Sequence, residues 1–244
     1  MTTAGPEADA APAGAASDSP DPVHRTGMLF DLDGTLVDSV YQHVLAWREA
    51  LAAEGIDIPV WSIHRKIGMS GGLFARALLR ETDVALGPDG VERLQAGHRE
   101  AFLRYAPGVR PLPGAADLLA HLTAVGTPWA VATSSRRETA TSALDELGVP
   151  DDVPVVTRDQ VERAKPDPDL FLAAARAVRL PIEDCVVVGD SVWDLLAARR
   201  ARALGVGLLT GGYGREELER AGAFRVYEDP ADLLARLDEV GVRD

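Results

Sequence analysis

From Gly27 onward, short apolar runs of strand length recur along the chain, and the later ones are separated by stretches with helical spacing. Met28 to Asp31, Pro128 to Thr133, Val153 to Thr157, Cys185 to Asp190 and Gly205 to Leu209 read as strands. Ala115 to Val125, Ser135 to Leu147, Asp169 to Val178 and Val192 to Leu204 read as helices, several closing on Gly126, Gly148 or Gly205. Strands joined by single helices must run parallel, since a parallel pair needs a crossover connection. The predicted class is therefore α/β, a Rossmann-like parallel sheet sandwiched by helices. Ser135 with Glu138 reads as a capping box, and Asp229-Pro230 as an N-cap followed by proline at the first helical position.

Nearly a hundred residues separate the first two strands, far more than one crossover helix needs. A helix starting at Ser39, with apolar positions Val40, Val44, Trp47 and Leu51, ends near Gly55. Helical patterns follow at Leu73 to Arg80 and Gly90 to Tyr105, and Pro107-Gly108 and Pro111-Leu112-Pro113-Gly114 mark the return to the sheet. An all-helical subdomain over residues 41–107 is thus expected to be inserted into a core of residues 27–40 and 108–244. Trp47 and Trp61 are assigned to the core of this insertion, and Trp193 is expected to pack under the site.

Residues 2–22 lack Val, Ile, Leu, Met and every aromatic, so a disordered tail is expected over residues 1–26. The tail has neither the apolar centre of a secretory signal nor the arginines of a transit peptide, and no segment is apolar enough to span a bilayer. A cytoplasmic protein is the expectation. Lys and Arg total 25 against 38 acids, a net charge of −13, which argues against a nucleic-acid backbone or an anionic membrane as partner. The sole cysteine, Cys185, lies in an apolar run and reads as a small buried hydrophobe, so neither a disulfide framework nor a thiolate metal cluster is expected. The number of subunits is left open.

In an open parallel sheet, ligands bind beyond the carboxyl ends of the strands. There the first strand carries Asp31 and Asp33, followed by Gly34; the second Thr133-Ser134-Ser135; and the fourth Gly189-Asp190, with Asp194 following. The segment after the third strand carries Lys165-Pro166-Asp167-Pro168. Carboxylates for a hard cation, hydroxyls beside helix-starting amides and one ammonium suit phosphoryl transfer with Mg²⁺. Asp31 attacking phosphorus would give an aspartyl-phosphate, and Asp33 can protonate the leaving oxygen and then activate water.

As a set and in this order, Asp31-Leu32-Asp33-Gly34-Thr35, Thr133-Ser134, Lys165-Pro166 and Gly189-Asp190 with Asp194 resemble the four motifs of the haloacid dehalogenase superfamily. The likeness is to its helical-cap branch, which includes phosphoglycolate phosphatases and beta-phosphoglucomutases. It implies Asp31 as nucleophile, Asp33 as acid and base, and Mg²⁺ held by Asp31, the Asp33 carbonyl and Asp190. It further implies that Thr133, Ser134 and Lys165 hold the phosphate, with Asp194 beside the metal ligands. In the cap, His43 and the segment containing His64, Arg65, Lys66 and Ser70 are candidates for meeting the substrate, Arg65 or Lys66 by steering an anion.

The expected activity is Mg²⁺-dependent hydrolysis of a small phosphorylated metabolite, a sugar phosphate or a phosphoglycolate-like acid. A phosphosugar mutase is the alternative, because His43 and Trp47 stand where beta-phosphoglucomutases carry histidine and tryptophan. Those enzymes have an arginine directly after their cap Gly-x-Ser turn, whereas Gly68-Met69-Ser70 is followed here by Gly71. A 2-haloacid dehalogenase fits less well, since Asp33 is present, and a non-catalytic binding module fits poorly, since Asp31, Asp33, Lys165 and Asp190 all are.

Overall fold

The computed structural model describes residues 1, 26–82, 84 and 86–242. The tail expected over residues 1–26 therefore lies, apart from its two ends, outside the described residues.

In chain order the elements are β1 (Gly27–Phe30), β2 (Val37–Asp38), α1 (Val40–Ala53), α2 (Val60–His64), α3 (Gly71–Leu79) and α4 (Gly90–Tyr105). Then come β3 (Arg110–Pro111), α5 (Ala115–Ala124), β4 (Trp129–Ala132), α6 (Arg137–Glu146), β5 (Val155–Val156) and α7 (Asp169–Ala177). The chain closes with β6 (Cys185–Gly189), α8 (Val192–Ala201), β7 (Leu204–Leu208), α9 (Arg215–Ala221), β8 (Ala223–Tyr227) and α10 (Pro230–Leu234).

Six of the strands form one parallel sheet in the order β5-β4-β1-β6-β7-β8. Alternation along β1 explains how it is covered on both faces: Met28 and Phe30 join Leu118, Leu122 and Leu144 in one core layer, while Leu29 joins Leu170, Phe171 and Ala198 in the other. Burial of each such large apolar side chain contributes about 1.5–3 kcal/mol. Cys185 sits in the second layer.

Helices α1, α3 and α4 share a separate apolar cluster built on Val44, Trp47, Leu51, Phe74, Leu78 and Leu94. The chain leaves for these helices along β2 and returns along β3, and the two strands pair antiparallel, Val37 with Pro111 and Asp38 with Arg110. Ala46, Ala101 and Phe102 pack into the first layer of the sheet core, so the helical cluster is seated on it. Among the described residues no helix is long and apolar enough to cross a membrane.

Several local expectations need correction. The Ser135–Glu138 capping box does not form: α6 begins after Arg136, and the Ser135 hydroxyl is committed to a carboxylate of the site. The expected box gives way to Asp159, which accepts from the Arg137 N–H at 3.0 Å. Trp61 is 70 % exposed rather than packed, because it lies on the outer face of the single-turn α2. Helix α8 stops at Ala201 with Arg202 left-handed, which frees Leu204 to open β7. Strand β8 escaped the sequence reading because Phe224 and Arg225 on this edge strand are exposed, which breaks the apolar run. Asp229 caps α10 as expected, accepting from the Asp232 N–H at 2.9 Å.

Candidate active site

Strand β1 lies between β4 and β6, so the residues following these three strands meet at one carboxyl edge of the sheet. This is the point where the strand order reverses, and it collects Asp31, Thr133-Ser134-Ser135 and Asp190. The Asp31 N–H donates to Val188 O at 2.9 Å, which extends the β1–β6 register by one residue and fixes the carboxylate's origin. The turn after Asp33 needs glycine: Gly34 has φ +83°, and a Cβ there would fall 2.5 Å from Asp190 Oδ2. Gly211 is held to glycine by the same carboxylate, since a Cβ would come within 1.8 Å of it.

Lys165 is fully buried and ion-paired on one side with Asp31 and on the other with Asp194, at 2.8 Å from Oδ1. Burial alone would lower the ammonium's pKa, but Asp194 and Asp31 together outweigh it and raise it, so Lys165 stays charged. Asp194 is oriented by a capping box at the start of α8: the Ser191 hydroxyl and N–H both donate to Oδ2, leaving Oδ1 for Lys165. Asp190 accepts from Thr35 Oγ1 at 2.9 Å.

Oxygens of Asp31, Asp190 and Asp194 lie within 4.8 Å of one another, all buried. Three carboxylates against one ammonium leave excess negative charge in a desolvated site. Burial, then repulsion from Asp194 and Asp33, pushes Asp31 up to about 7 despite the attraction of Lys165. Burial with repulsion from Asp194 and Asp31 raises Asp190 well above the ordinary range. Such an all-oxygen, charge-deficient cluster fits a hard divalent cation.

Asp33 is in the opposite electrostatic state. Its Oδ1 accepts from Ser39 Oγ at 2.7 Å and faces His43 Nε2 at 3.1 Å, while its Oδ2 accepts from Ser135 Oγ at 2.7 Å and Thr133 Oγ1 at 3.3 Å. Burial would raise its pKa, but His43 and the Ser135 and Ser39 hydroxyls outweigh it and hold the carboxyl well below the usual range.

A cavity opens above these groups. Asp31, Asp33, Ser134 and Ser135 line its sheet side, and His43, Trp47, Phe74 and His98 line its helical side. The rings form a stacked column, with Phe102 on His43 at 4.0 Å, Trp47 on His98 at 4.2 Å and Phe74 on Trp47 at 4.2 Å. Trp193 is not among the residues lining the cavity, and its indole N–H donates to Arg65 O at 3.3 Å.

Asp31, Asp33, Thr133, Ser134, Lys165, Asp190 and Asp194 are thus brought together. Of the five residues of the insertion proposed to meet the substrate, His43, His64, Arg65, Lys66 and Ser70, His43 alone lines the cavity. Arg65 and Lys66 do not face it as anion-steering groups: Arg65 pairs with Glu217 and lies 4.1 Å over the Tyr213 ring, and Lys66 pairs with Glu81. His64 Nε2 lies 2.8 Å from Gly211 O, and the Ser70 N–H donates to Lys165 O at 3.2 Å, so this segment latches the helices to the sheet core. Ser134 joins the latch by donating to Gly68 O at 3.1 Å. The hydroxyls of Thr35, Ser39, Ser135 and Ser191 orient the carboxylates, a role the sequence did not assign to them although Thr35 lies within the first motif and Ser39 shortly after it. His98, Gln95, Arg99, Arg136 and Arg158 also line the cavity without having been singled out.

Residues 26–202 match the family model described as haloacid dehalogenase-like hydrolase. The chain is 36 % identical over 180 residues to hexitol phosphatase A of Escherichia coli strain K12, covering 72 % of this chain and 79 % of that protein. It is 35 % identical over 213 residues to a phosphoglycolate phosphatase of Caulobacter vibrioides, covering 84 % and 88 %. Among solved structures, a hydrolase from Pseudomonas syringae superposes with a TM-score of 0.86 at 53 % identity, covering 89 % of this chain and all of the other.

Proposed function

The chain belongs to the haloacid dehalogenase-like hydrolases and is a phosphoric monoester hydrolase of that family, and from this premise we propose that it is a Mg²⁺-dependent phosphatase acting through an aspartyl-phosphate. Its substrate is a small phosphorylated metabolite, a sugar phosphate or a phosphoglycolate-like acid, as the names of its relatives suggest. One observation carries the reading: buried Asp31 is ion-paired with buried Lys165 at the cavity floor, with Asp33 two residues away in a separate hydrogen-bond set.

In the first half-reaction an Asp31 carboxylate oxygen attacks phosphorus and the ester oxygen leaves, taking a proton that reaches it through Asp33 from His43 Nε2, since the Asp33 carboxyl is itself held ionised in the free protein. In the second, Asp33 removes a proton from water, whose oxygen attacks the same phosphorus. The Asp31–phosphorus bond then breaks, which frees inorganic phosphate and restores the carboxylate. Lys165 and the groups around Thr133 and Ser134 hold the phosphoryl oxygens. Mg²⁺, when held by Asp31, the Asp33 carbonyl and Asp190, supplies positive charge against which the Asp31 carboxylate and phosphoryl oxygens can approach. His43, bonded to Asp33 Oδ1, is the group placed to exchange a proton with it. Residues 41–107 act as a cap that shields the attack from bulk water.

The test is inorganic phosphate release with Mg²⁺ across a panel of sugar phosphates, phosphoglycolate and nucleotides, with Asp31→Asn as control. Release by the wild type that is abolished in Asp31→Asn supports the reading. Isomerised phosphosugar in place of inorganic phosphate, or near-full activity in Asp31→Asn, overturns it.

A further inference from the structure

We propose that the cavity mouth binds a second anionic group on the substrate, a carboxylate or a second phosphate, through Arg99, Arg136 and Arg158. This deepens the phosphatase reading and rests on it.

The three arginines come from three separate segments: Arg99 from α4, Arg136 from the turn before α6, and Arg158 from the single turn after β5. All three line the cavity that has Asp31 and Asp33 at its floor. Their depth differs from that of the carboxylates. The side chains of Arg99 and Arg136 are 42 % and 53 % exposed, against 4 % for Asp31, which places the guanidiniums at the mouth.

Their charge is incompletely offset. Arg136 is paired with Asp159 at 2.8 Å, and Arg99 only loosely with Glu138 at 3.8 Å. Arg158 is held by two neutral carbonyls, donating to Val161 O at 2.6 Å and Glu162 O at 3.3 Å, and has no carboxylate partner among the described residues. The cavity is thus graded in charge, with the Asp31 and Asp33 carboxylates at its floor and guanidiniums toward its opening, of which only Arg136 has a carboxylate at hydrogen-bond distance.

A phosphoryl group placed at Asp31 leaves the rest of the substrate directed toward this opening. The planar guanidinium binds carboxylate and phosphate through paired N–H donors, a geometry that a neutral hydroxyl reproduces poorly. The two carbonyls fix the Arg158 side chain before any ligand arrives, which lowers the entropy cost of using it. Substrates with a second anion are therefore selected over neutral polyol phosphates.

The experiment compares phosphate release from sorbitol 6-phosphate, 2-phosphoglycolate and fructose 1,6-bisphosphate at saturating Mg²⁺. At least one of the two doubly anionic probes should exceed sorbitol 6-phosphate in kcat/KM by about tenfold, the yield of one added charge-assisted contact, mainly through KM. The gap should narrow as ionic strength rises. Arg158→Gln, and independently Arg99→Gln on a different element, should shrink that ratio several-fold. A preference for phosphoglycolate identifies the second anion as carboxylate, and one for the bisphosphate identifies it as phosphate. Equal or better use of sorbitol 6-phosphate by the wild type, or an unchanged ratio in both variants, overturns the proposal and leaves the phosphatase reading standing. No phosphate from any of the three overturns that reading and this inference with it.

Discussion

His43 Nε2 lies 3.1 Å from Asp33 Oδ1, so a residue of α1 touches the carboxylate proposed as acid and base. The imidazole is held on its other sides, with the Phe102 ring stacked on it at 4.0 Å and His98 Nε2 at 3.1 Å from Nδ1. Held in this way, the ring orients the Asp33 carboxylate and cannot swing away without giving up both contacts. His43→Gln should lower kcat by about 10²-fold, the lower end of what acid–base catalysis contributes, while KM changes little. Steady-state phosphate release measures it, and an unchanged kcat would show that Asp33 works without this contact.

Among the described residues Lys165 is the sole cation paired with Asp31 and Asp194. Lys165→Met keeps an unbranched side chain of similar length but removes the ammonium, which lies 5.1 Å from the Phe171 ring centre, and so leaves the buried carboxylates uncompensated. Breaking a buried ion pair from one side costs about 3–5 kcal/mol. Urea unfolding in chelator should show a loss of that size, reduced when Mg²⁺ is added because the cation takes over part of the compensation. A loss under about 1 kcal/mol in chelator would mean that Lys165 is not what holds the cluster together.

Most parts of this site legible in the sequence share one property: they follow directly from a buried strand. Apolar runs ending in Asp31, Thr133 and Asp190 announce both the strand and its end, and parallel order then brings the ends together. Lys165 is legible through its proline neighbour and its place in the family pattern. His98 and Arg99 are not, because only the packing of α4 on α1 carries them to the cavity and no local pattern distinguishes them from helix-surface residues. Ser135 shows the converse failure: Ser-x-x-Glu is a sound local cap signal, but a buried carboxylate competes for the hydroxyl and wins it. Arg65 and Lys66 likewise look like anion-steering groups until Glu217, distant in sequence, and Glu81, just past the end of α3, are placed beside them.

Asp190 contributes to the excess of negative charge, so Asp190→Asn should stabilise the metal-free protein while impairing the cation site. An asparagine carbonyl can still accept from Thr35 Oγ1, which isolates the loss of charge from the loss of a hydrogen bond. Each kcal/mol gained corresponds to a rise of about 2–4 °C in Tm for a chain of this size. Thermal scans should show wild-type Tm rising on addition of Mg²⁺, with the variant starting higher in chelator and responding weakly. An equal Mg²⁺ shift in both proteins would remove Asp190 from the cation site.

His98 supplies the pH test. Burial first, and then the neighbouring His43, holds its pKa well below 6.5, with Asp33 opposing only in part. The folded protein therefore keeps His98 neutral where the unfolded chain would protonate it, so below pH 6.5 the unfolded state binds more protons. Stability consequently falls as pH drops through that window, with a slope of up to about 1.4 kcal/mol per pH unit from this one group. His98→Gln retains a donor toward His43 Nδ1 but cannot titrate. Denaturant unfolding of both proteins should give stability curves separated by a constant offset above pH 7, with the wild type losing ground to the variant as pH falls from about 6.5. Curves that stay parallel down to pH 5 would mean that His98 protonates as readily in the folded protein as in the unfolded chain, and that the stacked column between Trp47 and Phe102 does not exclude its charge.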